Sequence, residues 1–441
     1  MPDQTTPEDH LNDQPVDAAQ DSPWIEDSPT TDAADGLSTP DREEVAAFRE
    51  NLETADVRWS EQDDLAELAG RLKAHRSQVA ARPPGPGIPE AVGWMLGVLV
   101  IHVIGMVIAF VGLLTFQIAE ITSQGGTPST ADFQAMIMNL PETFALELMT
   151  IEMLVFLVSA VVATRLRLGP RTSHLLGVRS LEMSHVLMIA AVSIPISLMC
   201  GGFHQFTLSI WNDFFAHLPG MSFFDHLNVN ESIKPLGRTA PLGLLFLVVA
   251  VAPAIGEEVI FRGIIGRGLV ARHGILAGVI MTSVLFAAVH IHPAHVVALL
   301  PLAFFIHLVY LVTRSILAPM LLHLLNNSLA VVLLKATATV PALEGASEPE
   351  MPWYVLLISA SIVGLVGWTL WKSRVEYRTE DGEAWDPGYP TVEMPPESTG
   401  CALTMTGCSV GLRRGAIGLA GAYSLVFVVS LVLMLTGHIS A

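Results

Sequence analysis

Cysteine is scarce in this chain: Cys200 lies in an apolar stretch, Cys401 and Cys408 lie close together in a loop, and there are no others. Neither the count nor the spacing makes a disulfide framework or a cysteine zinc site, and the loop pair is assigned no role. Charge is scarce too. Asp, Glu, Lys and Arg supply 15% of the residues, and no run of Lys and Arg forms a patch suited to nucleic acid, so no nucleic-acid partner is expected. The sequence starts without a basic stretch followed by an apolar one, so a cleavable signal peptide is not expected and insertion relies on internal helices. There is no HExxH, which would put two metal ligands and a base on one helix. The matched broken helices of a transporter built from inverted repeats are also missing.

Apolar surface is what the chain has in abundance. Hydrophobic residues make up 51% of its 441 positions and the mean hydropathy is +0.52, the composition of a membrane protein rather than of two soluble domains. The formal charge of −19 is mostly local, because residues 1–82 hold 20 Asp and Glu against 7 Lys and Arg and so carry −13 of it. Acidity is thus a property of an N-terminal tail and says little about the membrane body.

Residues 1–41 are rich in Asp, Pro, Thr and Ser and poor in large apolar side chains, so a disordered acidic tail is expected there. Residues 42–88 are expected to hold a surface helix, on which Leu65, Leu68 and Leu72 form a weak apolar stripe, followed by a Pro/Gly linker at 82–87. About 20 apolar residues at 1.5 Å rise cross a ~30 Å hydrocarbon core. Nine runs meet that test, at 92–116, 143–164, 184–208, 241–262, 274–291, 295–313, 316–335, 353–371 and 415–437. The expected fold is all-α, a polytopic bundle of about nine transmembrane helices. Its core region is 89–335, and 336–441 supplies two further helices and a connecting loop.

Lys and Arg concentrate in cytoplasmic loops. Arg71, Lys73, Arg76 and Arg82 precede the first run, and Arg165, Arg167, Arg171, Arg267, Arg272, Arg314, Lys372 and Arg374 fall on the same side of an alternating path. This predicts a cytoplasmic N-terminus and an outside C-terminus.

Polar residues inside membrane helices normally face a partner or a wet cavity, and they mark function by default. Here they gather between 250 and 330. Glu257 and Glu258 are adjacent and project about 100° apart, and Glu258 lies one turn before Arg262, so Glu258 can pair with Arg262 while Glu257 stays available. Phe286 and His290 are one turn apart, as are His323 and Asn327. A salt-bridged helix end or a helix-packing histidine would explain each element singly; three in three successive apolar runs are harder to explain so.

The ordered set, EExxxR at 257–262, FxxxH at 286–290 and HxxxN at 323–327, resembles the three motifs of the CPBP intramembrane peptidases. That family includes type II CAAX-prenyl endopeptidases and Abi-type bacterial membrane proteases. The resemblance covers about 240–335 by motif. It implies a bundle of membrane helices enclosing a cavity, set in a bacterial cytoplasmic membrane. It also implies an endopeptidase acting on a membrane-associated peptide or protein. Glu257 and His290 would activate a water, His323 and Asn327 would stabilise the oxyanion, Glu258 would belong to the catalytic set, and Arg262 and Phe286 would support the site. General-base and oxyanion chemistry need those residue types. No cofactor is expected. Were the enzyme zinc-dependent, Glu257, His290 and His323 would be the ligands.

Rival readings are a non-catalytic scaffold or immunity-type protein and, less favoured, a proton-coupled transporter. Glu147, Glu152, His102, His307, His292 and His295 stay outside the expected site, since helix packing or solvation accounts for each. One conflict remains: as simple antiparallel crossings, runs four and five would hold Glu257 and His290 ~20 Å apart at 1.5 Å per residue. A fourth helix that continues through Gly263 to Val270 would remove it.

Overall fold

The computed structural model describes residues 85–221, 223, 224, 233–339 and 351–436. The expected acidic tail and surface helix lie outside the described residues, which all fall in one unit, Arg76–Ala441. Among the described residues, eight helices are long and apolar enough to cross a membrane. We label the helices α1 (Ile88–Ser123), α2 (Thr130–Thr143, not a span), α3 (Ala145–Leu168), α4 (Met183–Ile210), α5 (Leu242–Ala288), α6 (Pro293–Thr313), α7 (Leu317–Thr339), α8 (Trp353–Lys372) and α9 (Val410–Leu435). The protein is an integral membrane protein with an all-α membrane body.

Two of the nine expected runs lie in α5. Its 47 residues are interrupted at Gly274, where φ 79° and ψ 170° leave the helical region. Only glycine adopts such a conformation without strain. A Cβ on Gly278 would lie 2.4 Å from Val270 Cα, a contact that a continuous helix could not make across eight residues. The chain therefore folds back on itself, and α5 is a hairpin with arms 242–273 and 275–288.

This hairpin is the centre of the bundle. The α5 window is 61% buried, whereas those of α1 and α9 are 17% and 11% buried and carry exposed Val, Ile and Leu along their length. Exposed apolar surface on the outer helices and burial of the central one is the arrangement expected where hydrocarbon is the solvent. Around α5 pack α1, α3, α6 and α7, with Phe156, Phe261, Ile264, Ile265, Phe286 and Tyr310 in the core. A second core forms where α4 meets α6, α8 and α9, through Met188, Val192, Ile196, Ile306 and Val366.

Prolines inside α4 and α5 shape the carbonyl chemistry. A proline has no N–H for the carbonyl four residues back. Pro195 so releases the carbonyl of Ala191, to which the Ser424 hydroxyl of α9 donates at 2.9 Å. Pro253 releases the carbonyl of Val249 beside the π-helical stretch Phe246–Val251.

At one end of the bundle the basic side chains are tied down. Arg167 pairs with Glu90 (3.0 Å), Arg272 donates to Gly85 O (3.0 Å), and Arg314 stacks over Tyr377 (5.5 Å). Over that end, β1 (Val375–Arg378) and β2 (Ala402–Met405) form an antiparallel pair with Val375 opposite Met405. From the intervening loop, Glu393 accepts from Arg267 Nε at 2.8 Å. The segment between the last two helices is thus a cap on the basic end.

Candidate active site

The two arms of α5 bring the first two motifs together in a defined register. Val270 meets Gly278, Gly266 meets Thr282 (a Cβ on Gly266 would lie 3.2 Å from Thr282 Cγ2), and the Arg262 guanidinium sits 4.3 Å over the Phe286 ring. Each pair is four residues further along both arms, and beyond them the charge of Glu257 acts on His290. The ~20 Å separation raised by simple crossings does not arise, because the first arm runs on to residue 273 before it turns.

Glu258 and Arg262 are fully buried and joined by a 2.9 Å ion pair, Arg262 Nη1 donating to Glu258 Oε1. Nη2 of the same guanidinium donates to Ala303 O of α6 at 3.1 Å. The π-helical stretch Phe261–Gly266 contains Arg262, and such widened turns reorient side chains at functional positions. His323 Nδ1, from α7, donates to the same Glu258 Oε1 at 2.8 Å. Glu258 therefore ties the third motif to the first through Oε1, while its Oε2 is buried with no hydrogen-bond partner among the described residues. Phe286 is the wedge between them, its ring 5.6 Å from that of His290 and 5.9 Å from that of His323.

Glu257 differs from its neighbour in having no hydrogen bond or ion pair among the described residues, although an unpartnered buried Oε2 is common to both, and its charge acts on His290, His102 and Arg262. The ring Nδ1 of His290 lies 3.3 Å from Phe286 O. A carbonyl only accepts, so the proton sits on Nδ1 and Nε2 keeps a lone pair. The chain turns sharply straight afterwards: His292 N donates to His290 O at 2.6 Å across Ile291, whose φ is 60°. A β-branched residue with positive φ is strained, and such strain persists only where its surroundings impose it.

Asn327 lies one turn beyond His323, and its Nδ2 donates to Val249 O, the carbonyl released by Pro253, at 3.0 Å. Its Oδ1 accepts from Asn326 Nδ2 at 3.1 Å, and Asn326 Oδ1 accepts from Ser197 Oγ of α4 at 2.7 Å. Sequence reasoning missed Asn326 and Ser197. An Asn beside a motif Asn carries no distinguishing signal, and Ser197 comes from a helix outside the motif segment.

Two polar residues left outside the expected site form a neighbouring pair. His102 of α1 shares a short hydrogen bond with Glu152 of α3 and stacks on Phe156, ring centroids 4.4 Å apart. The Phe156 ring in turn packs against Gly256, where a Cβ would lie 2.6 Å from Phe156 Cε1. At the far side of His290, His292 caps α6 by accepting from Ala294 N, and His295 packs against it (5.6 Å). His307 is buried beside Gly266.

Among the described residues no group of three or more His, Cys, Asp or Glu side chains has an arrangement that could hold a metal ion. His323 Nδ1 and Arg262 share one oxygen of Glu258. An apolar cleft of about 240 Å³ opens between α5 and α7, lined by Val251, Ala254, Ile255, Leu317, Met320, Leu321 and Leu324, one turn from Glu258 and His323.

Fold and site together define a polytopic membrane protein with a carboxylate, imidazole and amide cluster buried at the centre of its helices. Residues 239–329, which carry all three motifs and both arms of the hairpin, match the family model for type II CAAX prenyl endopeptidase Rce1-like proteins, and this match supports the resemblance of that segment to the CPBP-family membrane peptidases. Comparison with curated proteins and with solved structures finds no match.

Proposed function

We propose that the protein is an intramembrane endopeptidase that hydrolyses a peptide bond in a membrane-associated protein or peptide. The observation that carries the reading is the division of labour between adjacent carboxylates. Glu258 is held through Oε1 by Arg262 and His323, while Glu257 has no hydrogen bond or ion pair among the described residues. A carboxylate in that state is suited to take a proton from water. His290, with its lone pair on Nε2, orients the same water. Asn327 Nδ2 has a second N–H beyond the one on Val249 O, and this donates to the developing oxyanion. His323, whose Nδ1 donates to Glu258, is the second group assigned to the oxyanion.

The water is activated in this reading without a metal, since Glu257 supplies the base that takes its proton. The cleft between α5 and α7 accepts apolar side chains or a lipid-like group of the substrate. The same reading sets the basic end, capped by β1 and β2, in the cytoplasm, a choice that the charge bias of the loops supports.

The test is turnover of a quenched membrane-peptide library by purified protein in detergent, wild type beside Glu257→Ala, with and without a strong chelator. Cleavage abolished in the variant and unchanged by chelator is the expected result. Loss with chelator makes the site a metal centre, and equal cleavage by both proteins removes Glu257 from the mechanism.

A further inference from the structure

We propose that Asn326 and Ser197 are positioning residues, which lock the Asn327 amide so that its free N–H faces the substrate carbonyl. The inference rests on the reading of Asn327 as an oxyanion donor and extends it to two residues outside the motifs.

The argument starts at Val249. Pro253 deprives its carbonyl of the usual helical donor, and that oxygen can only accept. Asn327, 3.0 Å away, must then present Nδ2 to it. The Oδ1 of Asn327 consequently faces Asn326, which must present its own Nδ2 (3.1 Å), and this leaves Asn326 Oδ1 facing the Ser197 hydroxyl (2.7 Å). Every link has one polarity, dictated from the Val249 end. Turning any amide over would put two acceptors against each other. The Ser197 hydroxyl also lies 2.7 Å from Ser193 O, so its single proton is shared between two acceptors and its link is the weaker one.

The consequence is mechanical. An asparagine bound only through Nδ2 can pivot about that bond, whereas one held through both ends of its amide has a fixed plane. With one N–H on Val249 O, the direction of the other is set by the bond from Asn326. A donor fixed before the reaction costs no reorganisation when charge develops on the carbonyl oxygen.

The chain is tested by peptide turnover with purified full-length variants, reading kcat and KM separately. Asn326→Ala is expected to lower kcat about tenfold with KM nearly unchanged, the signature of an interaction that matters only in the transition state. Ser197→Val should act the same way but more weakly, and Ser197→Thr, which restores the hydroxyl at the same size, should recover wild-type kcat.

The deciding measurement is the double variant. In an Asn327→Ala background, Asn326→Ala should have no further effect on kcat, because the group it positions is gone. An additive effect there would mean that Asn326 serves packing alone and would overturn the proposal. If Asn327→Ala itself leaves kcat intact, the oxyanion reading fails; if it lowers kcat while the Asn326 and Ser197 variants do not, only the positioning chain fails. Should Asn326→Ala not fold, the Ser197→Val and Ser197→Thr pair decides alone. Should the wild type cleave no probe, an experimental structure of Asn326→Ala decides instead: an amide unmoved on Val249 O overturns the proposal, and a rotated one supports it.

Discussion

Gly278 lies against the backbone of Val270 so closely that a Cβ would come within 2.4 Å of Val270 Cα, and this contact sets the register in which Arg262 faces Phe286 eight residues further from the turn along each arm. Gly278→Ala should therefore spread the arms of α5 and shift His290 relative to Glu257. Overpacking of this kind costs about 1–3 kcal/mol. Thermal unfolding in detergent should show the loss, and peptide turnover should fall by more than the folded fraction does. A variant with wild-type stability and turnover would show that the register is set elsewhere.

The adjacent glutamates should separate cleanly. Glu258→Ala leaves the fully buried Arg262 without its counter-charge and frees His323, and breaking a buried pair costs about 3–5 kcal/mol. Glu257→Gln removes a carboxylate whose buried oxygen has no partner to lose, so stability should change by less than about 1 kcal/mol. Turnover should nonetheless fall by about 10²–10⁴-fold, the usual contribution of a general base. Parallel melting curves and rates for the two variants provide the check. Reversed behaviour would exchange their roles.

Ile291 holds a positive φ in the tight turn behind His290. Ile291→Gly should relieve that strain and stabilise the fold by about 1 kcal/mol, read as a higher melting temperature. Because the turn sets the direction of His290, turnover is expected to drop at the same time. A destabilised variant would mean that the chain entropy lost on ordering a glycine outweighs the relieved backbone strain.

Ser424 covers the Ala191 carbonyl that Pro195 exposes inside the bundle. Ser424→Ala should leave that oxygen unsatisfied and cost about 1–3 kcal/mol. The loosened contact belongs to α9, far from the motif helices, so limited proteolysis of the loop before α9 should quicken while kcat stays at the wild-type value. An unchanged proteolysis rate and melting temperature would show that packing alone holds α9.

Much of this architecture is legible in the residues themselves. Long apolar runs mark the spans because crossing hydrocarbon is a local demand on composition. The spacing of Glu258 and Arg262 announces their ion pair, because residues four apart on a helix share a face. The expected inter-helix bonding of His102 is also found, with Glu152 as its partner. Less legible was the turn of α5. Apolar residues flank Gly274 on both sides, and nothing local distinguishes a glycine that reverses the chain from one that merely packs.

What the sequence alone determined is the membrane class, the spans and the three ordered motifs, since each rests on composition or on spacing within one helix. Only the tertiary structure decided how the two arms of α5 are aligned, that His323 joins Arg262 on Glu258, and how Ser197 and Asn326 reach Asn327. Those outcomes depend on contacts between residues 24 to 129 positions apart, as between Arg262 and Phe286 or between Ser197 and Asn326. Hydrogen bonds of that range follow from how helices pack, and packing is a property of the whole bundle rather than of any one stretch of chain.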